Sequence, residues 1–270
     1  MAMTRWDPDQ YLRYQDERTR PLRDLLGRVH PATEPRRILD LGCGPGNSTV
    51  PLRQRWPDAR ITGLDNSPEM LDAARAAHSG PNPGGTGTTD YAHADAATWD
   101  PAPESPDLVI SNALLQWVPD HTAVLVRWAR ALPPGGVLAF QVPGNFDAPS
   151  HTLLAELRTS PRWKHLLGEG ARRDAAVAEP GDYLQLLTGE DCTADVWETT
   201  YHQLLGGEDP VLEWVKGTAL RPVLTRLQDA GDRDAFLEEY RRLLRQAYPA
   251  GPHGTVFPFR RIFAVARRNA

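Results

Sequence analysis

One stretch constrains this chain more than any other. Arg37-Ile38-Leu39-Asp40-Leu41 is a short apolar run that stops at Gly42-Cys43-Gly44-Pro45-Gly46, where glycine takes alternate positions. A helix-like stretch follows, over residues 47–56. Glycine lets the backbone turn tightly and approach a ligand closely. A strand, a glycine turn and a helix in that order form the crevice at the carboxyl end of a first parallel strand. The pattern then recurs. Residues 60–65 read as a second strand with an acidic end, and Ser67-Pro68 is a helix start with serine as cap and proline in the first turn. Residues 91–95, 107–112 and 136–142 read as further strands, and strands alternating with helices specify a parallel α/β sheet.

Two ligand classes compete for such a turn. A dinucleotide site uses G-x-G-x-x-G and rests a pyrophosphate on the helix N-terminus. Here the spacing is G-x-G-x-G, and Asp40 precedes it. A carboxylate at the strand end repels pyrophosphate but suits a cationic ligand, such as the amino group of S-adenosylmethionine (SAM). Asp65 closes the second strand, where a carboxylate accepts ribose hydroxyls, and Asp95 closes the third, placed for an adenine amino group.

In four places the chain resembles the class I SAM-dependent methyltransferases: Leu39 to Gly46, Gly63-Leu64-Asp65, Ala94-Asp95-Ala96, and Leu132-Pro133-Pro134-Gly135-Gly136-Val137-Leu138. The resemblance implies a Rossmann-like sheet of seven mostly parallel strands, the last antiparallel, with helical cap insertions. It also implies that Gly42 and Gly44 pack under the methionine part of SAM, with Asp40 near its ammonium. Asp65 would bind the ribose, with Asn66 and Met70 beside the adenosine, and Asp95 and Ala96 would lie near the adenine. Asn112 and Ala113 would face the transferable methyl. S-adenosylhomocysteine would be the product, and no metal is implied.

Further stretches resemble the trans-aconitate 2-methyltransferase family: Trp6-Asp7-Pro8, Asn112-Ala113-x-x-Gln116-Trp117-x-Pro119-Asp120-His121, Trp197-x-Thr199-Thr200-Tyr201 and Phe259-Arg260-Arg261-Ile262-Phe263. That resemblance implies esterification of one carboxylate of a planar tricarboxylate. The Asn/Asp-Pro-Pro-aromatic motif of many amino-group methylases is absent after the fourth strand, which turns the reading from DNA or protein amides toward a small acceptor. Another small-molecule acceptor, or SAM binding without catalysis, stays open at this stage.

A polycarboxylate needs cationic and hydrogen-bonding partners, and arginine meets a carboxylate bidentately. Tyr11, Tyr14 and Arg18 share one helical face that could close over the site. Arg221 follows a helical stretch in the cap. Arg260 and Arg261 point to opposite faces of the last strand, and Arg261 is the one favoured. Tyr201 is the favoured donor on its strand, and Trp117 reads as a pocket wall. His121 reads as a helix-start residue, and Cys43 has no base near it in sequence.

Composition narrows the classes that remain. The 270 residues are 40% hydrophobic and 24% charged, an ordinary globular balance. A net charge of -5 argues against a nucleic-acid partner. Two cysteines provide no disulfide framework and no zinc pair. No apolar run reaches the ~18 residues of a membrane helix, and the first five residues have no leader-like core, so the expected location is the cytoplasm. The expected organisation is a helical lid segment over residues 1–35, a SAM-binding domain over 36–149 and 192–270, and helical cap segments over 150–191 and 207–250. The Pro/Gly stretch at 80–87 reads as a solvent-exposed loop.

Overall fold

The computed structural model describes residues 15–167 and 177–270. Tyr11 and Tyr14 lie outside the described residues, as does the side chain of Arg18. The described chain divides into two compact units. The sheet unit holds residues 15–143, 177–199 and 261–270, and the second unit holds residues 144–167 and 200–260.

The sheet unit opens with α1 (Gln15–Gly27) and then alternates: β1 (Arg37–Leu41), α2 (Thr49–Arg55), β2 (Arg60–Asp65), α3 (Pro68–His78), the short β3 (Gly80–Pro81), β4 (Thr88–His93), β5 (Leu108–Asn112), α4 (His121–Ala131) and β6 (Val137–Pro143). After the first segment of the second unit come α7 (Pro180–Gly189) and β7 (Cys192–Leu205), and the chain ends in β9 (Gly254–Arg268). The strand order is β3-β4-β2-β1-β5-β6-β9-β7. β1 pairs in parallel with β2 and β5, β2 with β4, and β5 with β6, whereas β9 runs antiparallel to β6. Seven strands of five residues or more and an antiparallel last strand are what the sequence led us to expect.

Strands covered on both faces read as continuous apolar runs, and β5 and β6 do so, with Leu108, Val109, Ile110 and residues 137–142 all buried. The face of α4 carrying Val124, Leu125, Trp128 and Ala129 packs into the same core as Leu39, Leu41, Leu138 and Phe140. Ser67 caps α3 by accepting from the Met70 amide at 3.3 Å, with Pro68 in the first turn. The Pro-Pro-Gly-Gly motif is the turn into β6. Gly135 adopts φ +80°, which glycine does at no steric cost, and its amide donates to the Arg268 carbonyl at 2.9 Å.

The Pro/Gly stretch departs from its expected form. Gly80 and Pro81 pair antiparallel with β4, making an edge hairpin. Asn82 is buried and ties the hairpin down, donating to the Ala59 carbonyl at 2.8 Å and accepting from Thr89 at 2.7 Å. Loop-forming composition did not reveal this, because a single buried amide anchors the segment.

The second unit comprises α5 (Pro149–Thr159), α6 (Lys164–Leu167), α8 (Pro210–Lys216), α9 (Arg221–Arg226), α10 (Ala230–Ala247), the short β8 (Ala250–Gly251), and the portions of β7 and β9 at 200–205 and 254–260. It has its own core. Phe236, Tyr240 and Leu244, spaced by four along α10, bury together with Trp163, Trp214 and Phe257. Tyr240 donates to the Ser150 carbonyl, and the Ser150 amide donates to the Tyr248 hydroxyl at 3.0 Å.

Candidate active site

The site is built from the carboxyl ends of the strands in the sheet unit. At the end of β1 the Gly42 and Cys43 amides both donate to the Leu64 carbonyl, at 2.7 and 3.1 Å, turning the chain back over β2. Gly42, Gly44 and Gly46 adopt φ of +72°, +54° and +90°. A Cβ at Gly42 would stand 2.8 Å from Leu114 Cβ, and one at Gly46 would stand 2.6 Å from the His78 ring, whereas Gly44 has open space around it. Two of the glycines therefore serve packing as well as the turn, and the middle one faces room for a ligand.

Asp40 is fully buried beneath this turn. Its Oδ2 accepts from Ser48 at 2.7 Å and Thr49 at 2.9 Å, both at the start of α2. Its Oδ1 is buried and finds no partner among the described residues. Desolvation lifts the carboxyl to about 6; the Ser48 and Thr49 hydroxyls hold it down in part, and Asp65 pushes it further up. Asp65 is half-buried and fixed at both oxygens: Gly44 N donates to Oδ2 and Ser67 N to Oδ1, each at 2.9 Å. Burial pushes the neighbouring Cys43 thiol far up, so it is inert as a nucleophile.

Register shows what else shares this surface. Residues level with one another across a ladder point to the same face, as do residues two apart along a strand. Asp40 is level with Gly63 and with Ile110, Asn112 with Gln141, Gln141 with Phe263, and Pro143 with Arg261. Hence Asp65, Asp40, Asn112, Gln141 and Arg261 stand on one face of five neighbouring strands. Asp65 and Asp40 put negative charge at one side of this row, and Arg261 puts positive charge at the other. Arg261 is buried, and its Nη1 donates to Gln141 Oε1 at 2.9 Å.

The other expected residues are placed as follows. Asn66 is exposed just past β2, and Met70 is buried on α3. Asp95 lies two residues beyond the end of β4 rather than closing it. It is exposed and accepts from the Ala97 amide at 2.9 Å. Ala96 is half-buried, its carbonyl accepting from Arg127 at 3.4 Å. Ala113 takes the left-handed conformation at φ +57°, and its amide donates to the Gln141 carbonyl at 2.8 Å. Trp117 is 45% exposed, and His121 bonds to the Tyr183 hydroxyl at 2.8 Å at the start of α4. Tyr201 is buried and Arg221 is half-buried at the start of α9, both in the second unit.

Sequence reasoning passed over Gln141. The available signal was one amide side chain in the otherwise apolar run Val137-Leu138-Ala139-Phe140-Gln141-Val142.

A family profile described as a methyltransferase domain matches residues 38–136, the span from β1 to the turn before β6. The chain is 61% identical over 270 residues to a trans-aconitate 2-methyltransferase of Streptomyces avermitilis, covering all of this chain and 99% of that protein. The chain belongs to the trans-aconitate 2-methyltransferase family. The protein of that name in Streptomyces coelicolor is 59% identical over 97% of this chain and 86% of its own length. The one in Methylobacterium nodulans is 46% identical over 99% of this chain and all of its own. Among solved structures, the YcgJ protein of Bacillus subtilis superposes with a TM-score of 0.56 at 12% identity, covering 93% of this chain and 99% of that one. A Bacillus halodurans structure described as a putative methyltransferase gives 0.55 at 15% identity, covering 92% of this chain and 99% of the other. At these identities the structural likeness establishes the fold alone. The match to the trans-aconitate 2-methyltransferases, by contrast, extends beyond the shared sheet to nearly the whole chain.

Proposed function

We propose that the chain transfers a methyl group from SAM to one carboxylate of trans-aconitate, or of a similar small polycarboxylate, giving a monomethyl ester and S-adenosylhomocysteine. The observation that carries this is the row of side chains on one sheet face, with carboxylates at β1 and β2 and a buried arginine at β9. Such a row suits a cationic ligand beside an anionic one. The names of the relatives agree with it.

The residues fit SAM. The unpartnered Oδ1 of Asp40 provides a buried anionic acceptor for an ammonium group. Asp65 is held in a fixed orientation for ribose hydroxyls, and the open space at Gly44 leaves room for the ligand against the backbone. Asn66, Met70, Asp95 and Ala96 complete the adenosine side of this reading, with Asn112 and Ala113 at the methyl. When bound, SAM supplies a methyl carbon made electrophilic by the sulfonium.

The acceptor needs little activation. A carboxylate with an ordinary pKa near 4 is already ionised at neutral pH, so no general base is required. The chain's task is to hold one carboxylate oxygen in line behind the methyl and to bind the remaining carboxylates. Orientation of this kind supplies on the order of several kcal/mol. Arg261 binds a carboxylate in this reading, and Tyr11, Arg18, Trp117, Tyr201 and Arg221 are the further candidates.

The test is a methyl-transfer assay over di- and tricarboxylic acids, with the ester and S-adenosylhomocysteine identified by mass spectrometry. Turnover of trans-aconitate supports the proposal. Methylation of other acids with trans-aconitate untouched at millimolar level overturns the substrate. SAM binding with no transfer to any acid points to a protein that binds without catalysing. Arg261→Ala and Arg221→Ala should each raise KM for the acid more than KM for SAM.

A further inference from the structure

We infer that Gln141 is itself a substrate-binding residue, its side-chain amide N–H donating to an acceptor carboxylate beside Arg261. The inference rests on the proposed function and adds a residue to it.

Gln141 is fully buried. Its Oε1 accepts from Arg261 Nη1 at 2.9 Å, and its Nε2 is buried without a partner among the described residues. The amide cannot be turned the other way. Guanidinium offers only donors, so the oxygen must face Arg261 and the NH₂ must face away from it. A buried donor without an acceptor has lost its hydrogen bond to water and gained nothing in return. An aliphatic residue in this apolar strand would avoid that cost. The cost is removed when an acceptor arrives.

The chemistry of the acceptor follows from the neighbours. Gln141 is level with Asn112 on β5, beside the strand that carries Asp40, and shares a face with Arg261. On the side of the row away from the carboxylates, Gln141 Nε2 presents an unpartnered N–H next to the guanidinium of Arg261. Adjacent donors in a water-poor site bind carboxylate oxygens, and hydrogen bonds to a charged acceptor are the stronger kind. Gln141 would thus hold Arg261 with its oxygen and the acid with its nitrogen.

Binding measured by titration calorimetry in the presence of S-adenosylhomocysteine separates the two roles. Q141E retains an acceptor for Arg261 and loses the N–H, whereas Q141L loses both. The ligands are trans-aconitate and three dicarboxylates that each lack a different one of its carboxylates: mesaconate, glutaconate and itaconate. Q141E adds a negative charge that weakens all four acids, and it should weaken trans-aconitate by about tenfold or more beyond its effect on the dicarboxylate missing the contacted group. A purely structural role would weaken all four equally, and that result, or unchanged affinities in folded Q141E, overturns the inference. If Q141L fails to fold, Q141E carries the test alone, since it preserves the Arg261 contact. If the wild-type protein binds none of these acids, the proposed function falls along with it. If the wild-type binds trans-aconitate and Q141E binds it as tightly, only the role of Gln141 falls.

Discussion

Asp40 on β1 and Arg261 on β9 stand on the same face of the sheet, three strand intervals apart in the order β1-β5-β6-β9. At the usual strand spacing that is about 14 Å across the strands. Both side chains are buried; Asp40 accepts from Ser48 and Thr49, and Arg261 donates to Gln141. Ser48, Thr49 and Gln141 carry no charge themselves, so none of these three contacts neutralises the group it holds.

Removing the charge at Asp40 should separate binding from stability. In Asp40→Asn the side-chain oxygen still accepts from Ser48 and Thr49, while the buried charge is gone. We expect SAM affinity to fall by about tenfold or more, from loss of a charge-assisted contact. The melting point of the ligand-free protein should stay level or rise, because the buried carboxylate's desolvation is relieved. Calorimetry of SAM binding and a thermal melt check the two parts. A lower melting point with SAM affinity intact would contradict both.

The same carboxyl sets a pH dependence. Its folded value of about 6 lies above its ordinary 3.8. The folded ligand-free protein therefore binds this proton more tightly than the unfolded chain. The group's contribution to stability is greatest below the ordinary value and declines as pH rises through the window up to about 6. A cation near Asp40 favours the ionised form, so SAM affinity should run the other way. It should rise with pH by as much as about tenfold per unit below 6 and level off above. The Asp40→Asn protein should lose that slope, and a flat profile in the wild-type would exclude Asp40 as the ammonium's partner.

The three glycines should not respond alike. Gly44→Ala places a methyl in open space and forces only the left-handed conformation, a cost of about 1–2 kcal/mol. Its main effect should be on SAM binding, where the new methyl occupies the ligand's side of the turn. Gly42→Ala and Gly46→Ala add clashes with Leu114 and His78 to the same strain. These two should lower the melting point more than Gly44→Ala does, a ranking that differential scanning calorimetry reads directly.

In the second unit, Phe236 is fully buried and packs edge-on against Trp163, with ring centroids 5.2 Å apart. Phe236→Ala should cost about 3–5 kcal/mol of stability through the cavity it leaves. The midpoint of denaturant unfolding measures this, and a loss below about 1 kcal/mol would mean that the core closes over the gap.

How much of this was legible beforehand varies by residue. The turn from Leu41 to Gly46 announced itself because glycine at alternate positions, after an apolar run, has few other uses. Ser67-Pro68 marked a helix start for local steric reasons, and the helix begins there. The 80–87 segment was less legible. Its glycines and prolines said loop, while the burial of Asn82 against Ala59 depends on residues 23 positions apart in the chain. Gln141 was passed over because one glutamine in an apolar strand has no periodic signature. Its meaning appears only when Arg261, 120 residues later, donates to it.

The sequence alone determined the order of strands and helices, the glycine turn and the kinds of charge available, because those follow from short-range sterics and from residue chemistry. Tertiary structure decided which charges share a face. β9 is the last strand in the chain, yet it lies beside β6, and the antiparallel register brings Arg261 level with Pro143, two residues from Gln141. Pairing between distant segments is fixed by burial and backbone hydrogen bonding over the whole sheet, and no local stretch of residues encodes it.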